Sequence, residues 1–230
     1  MFAVTRVSGL QGEYQICNGY GTAKATPILR KHWSTYIVED DFRFISESGL
    51  TAVRIPVGWW ITNDPRPPAP YVGGSLETLD KAFKWAEKYN LRIIIDLHAA
   101  PGSSQNPFEH SSSKDGSQDW GTTDANITET VQVTDFLASR YNKSPSLLAM
   151  ELMNELVAPG VSLESLETYY RDGYNAVRKY SLEAYVIMSN RLSSPDPTEL
   201  LGLAGGLPRS VIDVHYYMLF NNMFDTFTVQ

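Results

Sequence analysis

Leu148-Ala149-Met150-Glu151-Leu152-Met153-Asn154-Glu155-Leu156 is an apolar run that ends in an amide and a carboxylate, with the loop signal Val157-Ala158-Pro159-Gly160 behind it. A run of this kind predicts a strand over 147–155 that a parallel sheet buries on both faces. A charge at the end of a buried strand needs a partner, because burying it alone is costly. In α/β proteins the C-terminal ends of parallel strands are where sites are built. Position alone leaves a second reading open, in which Asn154 and Glu155 simply start a solvated loop.

Working outward, Arg92-Ile-Ile-Ile-Asp-Leu-His98 is a second near-continuous apolar run. Thr51-Ala-Val-Arg-Ile-Pro-Val57 is a β-branched strand carrying Arg54, with Pro56 expected at its end or at a bulge. Downstream, Ala184-Tyr-Val-Ile-Met-Ser-Asn190 and Ser210-Val-Ile-Asp-Val-His-Tyr-Tyr217 read as strands. Helical patterns cover Leu76–Asn90, Ile127–Tyr141 and Ser165–Lys179. A further helix is expected to open at Trp33-Ser34-Thr35, capped by Ser34 or Thr35, and to end at Gly49. Residues 1–31 resist assignment, although Leu10–Cys17 has the look of a short strand, and residues 99–125 form a long polar loop. Strands alternating with helices predict an α/β fold with a parallel sheet of five strands, in one domain over 1–230.

Composition narrows the function. The 230-residue chain has a net charge of −7 and no cluster of Lys and Arg, which argues against nucleic acid or an anionic membrane as partner. No apolar run approaches the roughly 18 residues that span a bilayer. The first residues, Met-Phe-Ala-Val-Thr-Arg-Val-Ser-Gly, lack the apolar region of a signal peptide. Cys17 is the only cysteine, so no intrachain disulfide forms. The oligomeric state is left open.

Each strand ends in something polar: Arg54, His98, Asn154 with Glu155, Asn190, and His215 with Tyr217. One such residue is ordinarily structural, but parallel strands set all these ends around one mouth. Asp96 and His98 share a face, as do Asp213 and His215, and with Glu155 they are metal-ligating types. Neither a His-x-His pair nor HExxH is present, so neither metal nor cofactor is expected. The Gly-x-Ser-x-Gly elbow of serine hydrolases is missing too. A carboxylate amid hydrogen-bonding neighbours suits glycosidic chemistry, where one carboxylic acid protonates the leaving oxygen and a second carboxylate attacks or activates water. Trp59, Trp60, Phe108, Trp120 and Phe220 follow strands, where they serve either as platforms for sugar faces or as packing.

His32-Trp-Ser-Thr35, Val53-Arg-Ile-Pro-Val-Gly58, Asp96-Leu-His-Ala-Ala-Pro-Gly102, Glu151-Leu-Met-Asn-Glu155 and Asp213-Val-His-Tyr-Tyr217 together resemble glycoside hydrolase family 5. Within it they are similar to the exo-β-1,3-glucanase (glucan 1,3-β-glucosidase) group, plant members included. The resemblance runs from about Leu10 to Phe227. It implies a (β/α)8 TIM barrel, a retaining mechanism, a β-glucan or β-glucoside oligosaccharide as partner, and a secreted or cell-wall location. By the same resemblance Glu155 is the general acid/base and Asn154 its partner on the sugar 2-hydroxyl. Arg54 supports the nucleophile; His98, His215 and Tyr217 line the subsite where the bond breaks; Phe108 and Phe220 clamp the cleft entrance.

Two departures shape the expectation. Leu156 stands where the family carries a proline, which removes a backbone restraint but no reacting group. The family's nucleophile, a glutamate on its seventh strand, has no Gly-Glu-Trp-like counterpart after His215, and its first strand is not recognisable in residues 1–31. The barrel is therefore expected to be incomplete, as though truncated at both ends. The chain alone is expected to hydrolyse weakly or not at all, or to act as a non-catalytic β-glucan-binding remnant.

Overall fold

The run Arg92–Ala99 forms β2, with a parallel neighbour on each side. The computed structural model describes residues 12–102, 118–194 and 196–217. In chain order the elements are α1 (Glu13–Tyr20), α2 (Thr22–Thr35), α3 (Glu39–Glu47), β1 (Ala52–Gly58), a 3-10 turn (Trp59–Asn63), α4 (Ser75–Lys88) and β2. They continue with α5 (Asp124–Tyr141), β3 (Leu147–Glu151), α6 (Leu163–Arg178), β4 (Tyr185–Ser189), α7 (Leu201–Gly205) and β5 (Ser210–Asp213). All pairings are parallel and the sheet order is β1-β2-β3-β4-β5, so each strand lies beside its sequence neighbour. A parallel sheet wound in chain order with helices against it is a partial (β/α)8 barrel.

Why these residues choose these elements is visible in what they bury. Ile93, Ile95 and Leu97 of β2 are buried, as are Met150 of β3 and Val186 and Met188 of β4, in one core with the inner faces of the helices. α4 turns Leu79, Ala82, Phe83 and Ala86 onto the sheet at the i, i+3, i+4, i+7 spacing of an amphipathic helix. α6 does the same with Leu166, Tyr169, Tyr170, Gly173, Tyr174 and Val177. Its tyrosines carry hydroxyls into the core, and each finds a carbonyl. Tyr169 donates to Leu152 O at 2.5 Å, Tyr170 to Ser189 O at 2.7 Å and Tyr174 to Pro208 O at 3.0 Å. The first two satisfy buried acceptors and pin the chain where β3 and β4 end, and the third holds the turn that leads into β5.

Three expectations change. Leu10–Cys17 is no strand in its described part: α1 and α2 make a helical pair around Gly21, which takes φ 73°. Ile16, Cys17, Ala25 and Leu29 bury together with Val72 in a small core of their own. Eight residues are too few to separate a period of 2 from 3.6, and the second helix decides the matter. Ser34 and Thr35 do not cap a helix; they finish α2, their hydroxyls bonding back to Lys31 O at 3.0 and 2.7 Å. The next helix, α3, starts after Val38, whose N–H donates to the Asp41 carboxylate at 2.7 Å. Finally, β3 and β5 stop at Glu151 and Asp213, so Asn154, Glu155, His215 and Tyr217 stand on the segments beyond the strands.

Candidate active site

Register sets the floor of the site. Asp96 of β2 is level with Glu151 of β3, and both carboxylates are essentially inaccessible to solvent. Two neighbouring buried carboxylates repel and lose hydration, a cost that only a cation and hydrogen bonds offset. Arg54 supplies both from β1. Its Nε donates to Glu151 Oε2 at 2.6 Å and its Nη2 to Glu151 Oε1 at 2.7 Å, while Asp96 Oδ2 lies 3.1 Å from Nη2. Burial pushes the Glu151 carboxyl upward while Arg54 pulls it back, and the guanidinium is itself held above its ordinary value, chiefly by Glu151.

The upper layer is built on this floor. Arg54 Nη2 also donates to Asn154 Oδ1 at 2.9 Å, and the Asn154 backbone N–H donates to Leu97 O at 3.0 Å. That fixes the amide from two strands. Its Nδ2 is buried with no hydrogen-bond partner among the described residues, which marks it as a donor awaiting an acceptor. Glu155 follows at φ 41°, a left-handed conformation that costs a non-glycine residue free energy. The surrounding bonds hold it there. His215 Nδ1 donates to Glu155 Oε1 at 2.7 Å, and the Tyr217 hydroxyl donates to the same oxygen. On its other side His215 Nε2 faces Asp213 Oδ2 at 3.2 Å. Burial pulls the His215 ring down, but its bonds to Glu155 and Asp213 outweigh this and hold it above its ordinary value.

Of the residues that the sequence singles out, Arg54, His98, Asn154, Glu155, His215 and Tyr217 thus converge. His98 joins through Asp96, its Nδ1 sitting 2.7 Å from Oδ2. Asn190 serves its own loop instead, donating to Pro197 O at 2.6 Å. Two aromatics proposed as platforms are core: Trp60 stacks on Tyr71 with centroids 3.9 Å apart, and fully buried Trp120 donates its indole N–H to Thr130 at 2.9 Å. Trp59 is only partly buried and packs edge-on to Tyr71. Phe108 and Phe220 lie outside the described residues.

Sequence reasoning missed Glu151 as the partner of Arg54. Its signal was there: a carboxylate inside the apolar run, four residues before Glu155. Ligand-type atoms of Glu151, Asp213 and His215 lie within 4.8 Å of one another. Both Glu151 oxygens already accept from Arg54, however, so a metal ion there would sit against a guanidinium.

Comparison with known proteins identifies the family. The family model described as Cellulase (glycosyl hydrolase family 5) matches residues 17–228. A probable glucan 1,3-beta-glucosidase A of Aspergillus fumigatus is 38% identical over 212 residues, covering 91% of this chain and 49% of the relative. A glucan 1,3-beta-glucosidase of Pichia angusta is 36% identical over 214 residues, covering 91% and 48%. The chain thus spans about half the length of the curated relatives it matches. Among solved structures, the rutinosidase from Aspergillus niger superposes with a TM-score of 0.80 at 22% identity, over 96% of this chain and 65% of that one. At that identity the likeness speaks for the fold alone.

Proposed function

This chain belongs to the cellulase family, glycosyl hydrolase family 5, and from that membership we propose that its strand-end site takes a β-glucan or β-glucoside oligosaccharide. The observation that carries the reading is the convergence of His215 and Tyr217 on one oxygen of Glu155, next to a buried Asn154 amide with an unused donor. Glu155 is the general acid/base that protonates the departing glycosidic oxygen. The Asn154 Nδ2 meets a sugar hydroxyl, and Arg54, His98, His215 and Tyr217 frame the ring being cleaved. Relatives named glucan 1,3-beta-glucosidases favour β-1,3-glucan as the substrate, and the exo-acting, retaining reaction is what the resemblance of the sequence motifs implies.

The other described carboxylates bear on turnover. Retention requires a second carboxylate about 5 Å from the first and able to attack. Asp96 is tied to Arg54 and His98, Glu151 to Arg54, and Asp213 to His215. These carboxylates hold the site together and are not available as nucleophiles. We therefore propose that the described residues supply the acid/base and the sugar contacts of the site, and that by themselves they support only weak hydrolysis. Release of glucose from laminari-oligosaccharides tests this: wild type and Glu155→Gln should both run near background. Robust turnover that Glu155→Gln abolishes would show that a second carboxylate is at work in this chain.

A further inference from the structure

The motif Asp-x-His occurs twice, as Asp96-Leu97-His98 on β2 and as Asp213-Val214-His215, which starts on the last residue of β5 and runs into the segment after it. Strand alternation places Asp96 and His98 on one face of β2, and in both motifs the carboxylate and the imidazole are in contact. The two rings are nevertheless turned differently. On β2 the aspartate faces Nδ1 of His98, and Asp96 is fully buried and anchored by Arg54. On β5 the aspartate faces Nε2 of His215, which leaves Nδ1 pointing at Glu155.

We propose that Asp213 is a positioning residue, whose carboxylate holds the His215 ring so that the Nδ1–H is aimed at Oε1 of Glu155. The Asp213 side chain is 38% exposed and that of Glu155 9%, so the ring bridges a wet carboxylate and a dry one. A carboxylate oxygen accepts and does not donate, so bonding on both sides needs a proton on both ring nitrogens. Glu155 faces the ring at Nδ1 and Asp213 at Nε2; Tyr217 reaches the same Glu155 oxygen, and Glu151, held by Arg54, lies within 4.8 Å of His215 and Asp213. With the Nε2 side held by Asp213, the ring keeps both nitrogens protonated and its Nδ1–H on Glu155. One oxygen of Glu155 is thereby fixed in place when a substrate arrives. Register supports the arrangement, since Asp213 is paired with Ser189 at the last rung between β4 and β5.

This deepens the reading of Glu155 as acid/base, yet its test needs no sugar. Long-range proton–nitrogen spectra of the His215 imidazole, assigned with His215→Gln, are followed through a pH titration in wild type, Asp213→Asn and Asp213→Glu. The wild-type ring should be doubly protonated at about pH 6.5, the ordinary histidine midpoint. Asp213→Asn should lower its midpoint by roughly one pH unit, and Asp213→Glu should restore most of it. A merely structural aspartate would not move the ring's titration and be rescued by glutamate. An unchanged midpoint in Asp213→Asn overturns the proposal. Should that variant fail to fold, the wild type still decides: a ring already neutral at about pH 6 overturns it. Failure of glucan binding, by contrast, would count against the assigned substrate and leave these spectra interpretable.

Discussion

Arg54 on β1 and Glu151 on β3 are joined by two parallel hydrogen bonds of 2.6 and 2.7 Å that reach across the width of β2. Asp96 of the intervening strand takes the same guanidinium at 3.1 Å. Removing the cation leaves two buried carboxylates with no compensating charge. Arg54→Ala should therefore cost about 3–5 kcal/mol, read as a lower urea midpoint. Arg54→Lys should recover only part, because an ammonium cannot match the two-pronged contact. A midpoint unchanged by Arg54→Ala would mean that the pair does not hold the sheet.

Tyr169 on α6 donates to Leu152 O from a fully buried position. Tyr169→Phe keeps the ring and strands that acceptor, with an expected loss of about 1–2 kcal/mol in chemical denaturation. Tyr170→Phe, which strands Ser189 O, should cost about the same. Neutral effects at both positions would show that these carbonyls find other donors.

Glu155 has φ 41°. At most positions alanine is more stable than glycine, but here the order should reverse. Glu155→Gly should be more stable than Glu155→Ala by about 1 kcal/mol, since both remove the carboxylate and only glycine accepts the left-handed backbone without penalty. Alanine equal to or better than glycine in equilibrium unfolding would refute the strain.

Glu13 of α1 is hydrogen-bonded to the Trp60 side chain. Burial pushes its carboxyl up to about 8, with a bond from Trp60 pulling back and Asp64 adding to the rise. The folded state thus holds a proton on Glu13 that the unfolded state has released, so this contribution to stability falls as pH rises from about 4.5 to 8. His215, also raised, acts in the same direction: its contribution is full below the ordinary histidine value and is lost as pH climbs through the folded one. Glu13→Gln should flatten the decline of melting temperature between about pH 6 and 8, leaving a residual slope from His215. Buried Cys17, whose thiol burial lifts to about 12, provides a second readout, because its labelling should require opening of the α1–α2 pair. An identical pH profile in Glu13→Gln would remove Glu13 from the account.

The barrel strands were legible because their apolar runs are long and their polar ends repeat: Ile93-Ile94-Ile95 before Asp96 and His98, Met150 before Glu151, Asn154 and Glu155. Periodicity and turn signals are local, and they suffice for such elements. The α1–α2 pair was not legible, since Ile16, Cys17, Ala25 and Leu29 make sense only against each other and against Val72 from a distant loop. The same holds within the site. Sequence position brings His215 and Tyr217 to the same strand-end mouth as Glu155, but the roles of Glu151 as anchor for Arg54 and of Asp213 as partner of His215 depend on the folded arrangement of neighbouring strands. Trp60 and Trp120 misled for the opposite reason: their chain positions after strands suggested a rim, while packing on Tyr71 and Tyr169 put them inside.

The central claim is that Asn154 and Glu155, braced by Arg54 and His215, form a site for β-glucan. Calorimetric titration of the chain with a laminari-oligosaccharide tests it most directly. The account predicts saturable binding at or below the millimolar range, weakened roughly tenfold or more by Asn154→Ala, about 1.4 kcal/mol, with no change from Lys81→Ala on the outer face of α4. Absence of binding at millimolar sugar, or equal affinity in Asn154→Ala, would contradict it.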